Sequence, residues 1–323
     1  MTLGYFARLF CAAAAVFFAL HAVLGLVVSL LADSGIRAAE RTTARRGAAL
    51  LLALRLAPVG ISLAVVLGLL VPSYLRLEPV GMAEQVGWPC LVVALAAIGA
   101  CAASIGRAWS ALTRSYGYIR ECRGSCRELT APGSSGSLWV VPNGAPQVAL
   151  AGIVRPRLVI SETVLHALPA AELQVAIRHE RAHRASFDNL KRLLLLLAPD
   201  DLPGVSGFAK LERAWSTLTE WAADDRAARD EYQSLLLAEA LLRVSRMSAC
   251  SAAPALTRPL LGDRRNLTAR VDRLLAGASR AAARGGTGPW VGLGVALSAL
   301  LAVLAIQPAM LEAAHNAMEV LIR

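Results

Sequence analysis

Four stretches of the chain are apolar over a length that can cross a bilayer, which takes about 20 residues as a helix. They run from about Leu9 to Ala32, Leu56 to Leu75, Trp88 to Gly106 and Trp290 to about Gln307. The first is too long for the apolar core of a signal peptide and is expected to be retained. The second is free to start a turn or two earlier. If it starts at Leu56, Arg55 falls at the interface, where its stem can snorkel to water; a buried, functional Arg55 is the alternative. Tyr74 and Trp88 are spaced like interfacial aromatics. His21, inside the first span, reads as a packed or interfacial histidine.

Between the third and fourth runs, over about 107–287, the pattern becomes mixed and the segment is long enough to fold. It opens as a helical continuation of the third span. A polar break follows at Ala131–Ser137. Leu138–Val141 and Gln147–Ala151 read as strands around a Pro-Asn-Gly turn at 142–144, which predicts a hairpin. Arg157–Ile160 is a third strand candidate. Helical spacing then takes over: Pro169 suits the first position of a helix with Glu172 in its first turn, running at least to Arg184. Residues 276–288 read as a linker. The expectation is a mainly α membrane protein with four transmembrane helices and an α+β domain with a small β-sheet. The expected division is 1–106 for three spans, 107–287 for the folded loop, and 288–323 for the fourth span and a short tail.

Composition supports embedding in lipid. Of the 323 residues, 56% are apolar, and the mean hydropathy of +0.53 is too high for an ordinary soluble domain. The formal charge of +10 is uneven, with 25 Lys and Arg against 17 Asp and Glu between Arg107 and Trp290. Juxtamembrane charge facing anionic lipid accounts for this excess. No recognition helix or zinc-finger spacing is present, so direct nucleic-acid binding is not expected. The basic loops are the first (Arg37, Arg41, Arg45, Arg46) and the third (Arg107, Arg114, Arg120, Arg123, Arg127). The positive-inside rule then puts both in the cytoplasm and both termini outside. Six cysteines show no paired metal-ligand spacing, and only Cys122 and Cys126 share a helix face.

The chemistry concentrates at Ile177-Arg-His-Glu-Arg-Ala-His-Arg184. His179 and His183, four apart, share one helix face, so their imidazoles can converge on one Zn2+ ion. Glu180, one residue further round, can serve as general base toward the attacking water. A shuffled chain would carry roughly 0.003 copies of this spacing. A third ligand is needed. Glu220, in Thr219-Glu-Trp-Ala-Ala-Asp-Asp225, can supply it from a second helix, with Asp224 one turn on as partner to the free N–H of a ligating histidine. On spacing alone Glu220 fits a ligand or an ordinary solvated helix glutamate.

With these residues the chain resembles the membrane gluzincin zinc metallopeptidases, most closely the BlaR/MecR-type sensor-transducers, and next the HtpX and CAAX prenyl peptidase type. Segments 152–160, 171–183, 220–224 and 266–275 each resemble family segments, the last being a closing helix with Arg270. The resemblance implies a gluzincin-like peptidase domain in the cytoplasm, one zinc on His179, His183 and Glu220, and Glu180 as the catalytic residue. It also implies supporting roles for Asp224 and Asp188, the latter five residues after His183. Arg181 replaces an apolar residue often found inside the motif. The family's stabilising histidine has no counterpart, which leaves Arg270 as candidate transition-state stabiliser or as a helix salt bridge. Only about 16 residues follow the fourth run, so no extracellular sensor domain is expected. The implied function is an endopeptidase cutting a cytoplasmic protein, possible targets being a winged-helix repressor or the chain itself, in signal transduction. A quality-control protease of membrane proteins and a non-catalytic zinc-binding scaffold are the alternatives. A substrate strand is expected to add to the edge around Gln147–Ile153.

Overall fold

A computed structural model describes residues 3–77, 86–130, 137–142, 147–153, 156–200, 206–247, 257–259, 267–277, 311–313 and 316. The first half is helical: α1 (Leu3–Leu30), α2 (Ala32–Glu40), α3 (Ala44–Val65), a π-helical turn at Val66–Leu70, α4 (Val71–Leu77) and α5 (Trp88–Ser125). Then come β1 (Arg127–Thr130), β2 (Ser137–Val141), β3 (Val148–Ala151) and β4 (Arg157–Ser161). The remainder is α6 (Glu162–Ala167), α7 (Ala170–Ala185), α8 (Asp188–Leu197), α9 (Gly207–Ala227), α10 (Glu231–Met247), β5 (Thr257–Pro259) and α11 (Leu267–Leu275).

Among the described residues, three helices are long and apolar enough to cross a membrane: Gly4–Leu30, Ala44–Leu77 and Trp88–Ser125. The second starts well before Leu56, because Thr43 caps α3 by accepting from the Arg46 N–H. The third does not stop near Gly106. It continues unbroken to Ser125, so the expected boundary at 106/107 falls inside one helix. The expected fourth span, Trp290–Gln307, lies outside the described residues.

The sheet corrects the predicted hairpin. Its five strands lie in the order β1-β2-β4-β3-β5, so β4 separates β2 from β3. Strand β4 runs parallel to β2 and antiparallel to β3. Leu158, Val159 and Ile160 are all buried, as a central strand covered on both faces requires, and burying them outweighs the local turn signal. Strand β5, which the sequence pattern did not reveal, pairs with Ala149–Ala151. That stretch therefore has partners on both sides and is no edge for an added substrate strand.

Helix α7 packs Leu173, Val175, Ala176 and Ile177 into the same core as Leu138, Ile160, Leu237 and Leu241. Glu172 receives two hydrogen bonds of 3.0 Å from Arg243, which ties the start of α7 to α10. A second core lies between α9 and helices α2 and α3, where Phe208, Leu211, Trp215 and Leu218 meet Ala32, Ala39 and Leu51. Gly207 opens α9 where a Cβ would come within 2.4 Å of the Ser29 Cα, so only glycine lets α9 approach α1 this closely.

Candidate metal centre

Helix α7 buries His179, Glu180 and His183 completely or nearly so. The two imidazoles stand edge to face, their planes 82° apart. Helix α9 turns one side, with Leu211, Trp215 and Leu218, to α2 and α3 and places Glu220 and Asp224 against the histidines of α7. Its Glu220 carboxylate thereby reaches the histidine pair. The Nε2 atoms of His179 and His183 are 3.1 Å apart. Glu220 Oε2 lies 3.4 Å from the first and 3.7 Å from the second. A tetrahedral ion with bonds of 2.0–2.1 Å would space its ligand atoms about 3.3 Å apart. The buried His179–His183–Glu220 group can thus hold a metal ion.

The far side of each ring fixes which atoms face the centre. His183 Nδ1 is 2.7 Å from Asp188 Oδ2, and His179 Nδ1 is 2.9 Å from Asp224 Oδ1. Each carboxylate draws the ring proton to Nδ1 and leaves the Nε2 lone pair pointing inward. Three lone pairs then converge on one point, an arrangement that a cation stabilises. Asp188 reaches His183 because the chain reverses between α7 and α8 through Phe187, in the left-handed region at φ 55° and ψ 38°. Next to it, the Asn189 amide donates to the carbonyls of Leu150 and Gly152 at 3.2 and 2.7 Å. This buried clamp joins α8 to β3. The sequence reading missed it, although the amide following Asp188 was the available signal.

Arg270, on α11, is 1% exposed. Its guanidinium grips Asp224 at 2.7 and 2.9 Å and approaches Glu220 Oε2 to 3.0 Å. Three of its N–H groups thus meet carboxylates of the centre, which is the geometry of a buried clamp on the ligand helix. The neighbouring Arg273 makes a matching fork onto Asp225 at 2.6 and 3.0 Å. A cleft of about 440 Å³ opens beside His183, between Leu150, Ile153 and Pro156 on one side and Arg181, Arg184 and Phe187 on the other.

Electrostatics follow from this packing. Burial alone would lower the His179 pKa, but the bonds to Asp224 and Glu220 overcome it and raise it from 6.5 to about 9. Burial alone would raise the Asp224 pKa, but Arg270, then His179, hold it down at about 2. A raised histidine pKa contributes stability that is present below about pH 6.5 and lost as pH rises through about 9. The lowered Asp224 contributes stability lost only as pH falls through about 2. Metal-free protein should therefore become easier to unfold between pH 6.5 and 9. A divalent cation displaces the His179 proton, so saturating zinc should abolish or reverse that slope. Denaturant midpoints at the two pH values, with and without zinc, measure both slopes; equal slopes would contradict cation binding here.

The sequence-predicted residues His179, Glu180, His183, Glu220, Asp224, Asp188 and Arg270 all come together around this centre. No family model, curated protein or solved structure matches the chain.

Proposed function

We propose that the chain is a membrane-bound zinc endopeptidase whose catalytic half faces the cytoplasm. It would cut a cytoplasmic protein, either a winged-helix repressor or the chain itself, in signal transduction. The observation that carries this reading is the convergence of His179 Nε2, His183 Nε2 and Glu220 Oε2 within 3.1–3.7 Å, beside a buried Glu180. Two imidazoles and one carboxylate suit zinc and leave a fourth coordination position open, as catalytic zinc sites do. The three apolar helices favour placement in a bilayer, and the basic loops favour the stated orientation.

His179, His183 and Glu220 would hold the ion, and zinc bound there would supply Lewis acidity toward the scissile carbonyl and the attacking water. Glu180, one residue along α7 from His179, takes the water's proton and returns it to the leaving amine. Asp188 and Asp224 hold the rings in the tautomer that presents Nε2. Arg270 keeps Asp224 ionised and holds Glu220 in place. With Ala149–Ala151 already paired on both sides, the cleft beside His183 is the place for the scissile segment.

Full-length protein purified in detergent is expected to hold one zinc per chain and to cleave an unfolded casein-type substrate, with a chelator stopping the cleavage. Absence of bound zinc would sink the reading. A zinc-loaded chain that cleaves nothing would leave a zinc-holding membrane scaffold.

A further inference from the structure

Residues 198–200, directly after α8, are touched by each of the three long apolar helices among the described residues. His21 of α1 places Nε2 3.2 Å from the Pro199 carbonyl. Arg107 of α5 donates to the Ala198 carbonyl at 3.4 Å and stands 3.8 Å from Asp200. Arg55 of α3 makes the strongest connection. Its Nη2 lies 2.6 Å from Asp200 Oδ1, its Nε lies 2.8 Å from Glu212 Oε1, and its guanidinium covers the Phe208 ring at 4.2 Å.

Arg55 is 1% exposed, so it does not snorkel to water. A guanidinium buried on an apolar helix is costly unless it is paired, and a chain tends to keep one only where it does something. The two helices that leave this segment both carry residues of the metal centre. Helix α8 begins with Asp188, the partner of His183. Helix α9 carries Glu220 eight residues beyond Glu212, about 12 Å along the axis. The packing of Leu211, Trp215 and Leu218 on Leu51 is apolar, and among the described residues the polar contacts that add direction to the axial register of α9 on α2 and α3 are the exposed Lys210–Asp33 pair and the Arg55 fork. A planar fork shared between two carboxylates is the more directional of the two.

We propose that Arg55 is a positioning residue for the metal centre: it sets the register of α9 on α3 and so the reach of Glu220 to the histidine pair. The proposal rests on His179, His183 and Glu220 being metal ligands. The position of the second membrane helix is thereby coupled to the coordination geometry.

The test measures zinc affinity of the full chain in detergent micelles by competition with a chromophoric chelator. Arg55→Gln is expected to weaken zinc binding at least tenfold. Glu212→Gln, which keeps shape and removes one charge, should weaken it in the same direction, and the double variant should lose less than the sum. Arg55→Lys, lacking the fork, should not restore affinity. Tyr74→Phe removes a hydrogen bond further along the same apolar helix, to the Tyr5 carbonyl of α1 at 3.2 Å and well away from the α9 contact, and serves as the control for general loosening. It should lower the unfolding temperature and leave zinc affinity unchanged. Folded Arg55→Gln and Glu212→Gln proteins with wild-type affinity would overturn the proposal. A wild-type chain that takes up no zinc would instead overturn the metal reading beneath it.

Discussion

Glu180→Gln is expected to retain zinc and to lose about 10²- to 10⁴-fold in kcat/KM, the usual worth of a positioned general base. Glutamine keeps the size of the side chain, which matters because Glu180 is fully buried in α7 and a smaller residue would leave a void. It cannot accept the water's proton as a carboxylate does. The metal ligands lie on other atoms, so zinc content should stay at one ion per chain. Metal analysis and cleavage of a casein-type substrate on the same preparation make the measurement. Undiminished cleavage would refute the assignment of Glu180. The same inactive variant serves as a trap: one dominant DNA-binding partner would favour signalling, whereas many unfolded membrane proteins would favour quality control.

Arg270→Met should produce the largest loss of stability, about 3–5 kcal/mol in metal-free protein, the usual cost of breaking a buried ion pair. The argument is electrostatic. Glu220 and Asp224 are both nearly inaccessible to water, and Arg270 contacts both at 2.7–3.0 Å. Its own pKa is raised, since the attraction of Asp224 and Glu220 exceeds the desolvation that burial imposes. Without it, two buried carboxylates lose the guanidinium that contacts both, and the His179 proton compensates for part of that charge. Bound zinc would supply charge at Glu220, so the loss should be smaller in zinc-loaded protein. Denaturant unfolding of both forms tests this. Equal losses with and without zinc would mean that the ion does not share Glu220 with Arg270.

Much of this centre is local, and that part was legible in the sequence. Two histidines four apart on a helix meet by helix geometry alone. The five-residue step from His183 to Asp188 also lies within one turn of chain reversal, although nothing in the spacing indicated that Phe187 would enter the left-handed region. Glu220 could be named but not placed, since its distance to His179 depends on α9 packing between the membrane helices and α7. Arg270, 46 residues from Asp224, posed the same difficulty. Its helix was expected, yet the choice between a reacting oxygen and two carboxylates is a matter of tertiary direction. Arg55 follows the buried alternative, not the interfacial one, for the converse reason. Judged by its neighbours on one helix it belongs at a wet interface, while its carboxylate partners come from 145 and 157 residues further along. The sheet order failed at a local signal: Pro142-Asn-Gly144 promises a hairpin, but the wholly apolar Leu158–Ile160 was the better guide, since such a run belongs in the middle of a sheet.

Helix α5, 38 residues and about 57 Å long, has a consequence for how the protein can be handled. Its far end packs Cys122 against Trp139, Ala151 and Val159 of the sheet. The apolar helices and the sheet are therefore built on one shared rod, unbroken from Trp88 to Ser125. A fragment begun at residue 107 would keep half of that rod, and α9 would lose the α2 and α3 surfaces that cover Phe208, Leu211 and Trp215. The half that carries His179, His183 and Glu220 is not a separate head on a tether, and it should be prepared together with the apolar helices.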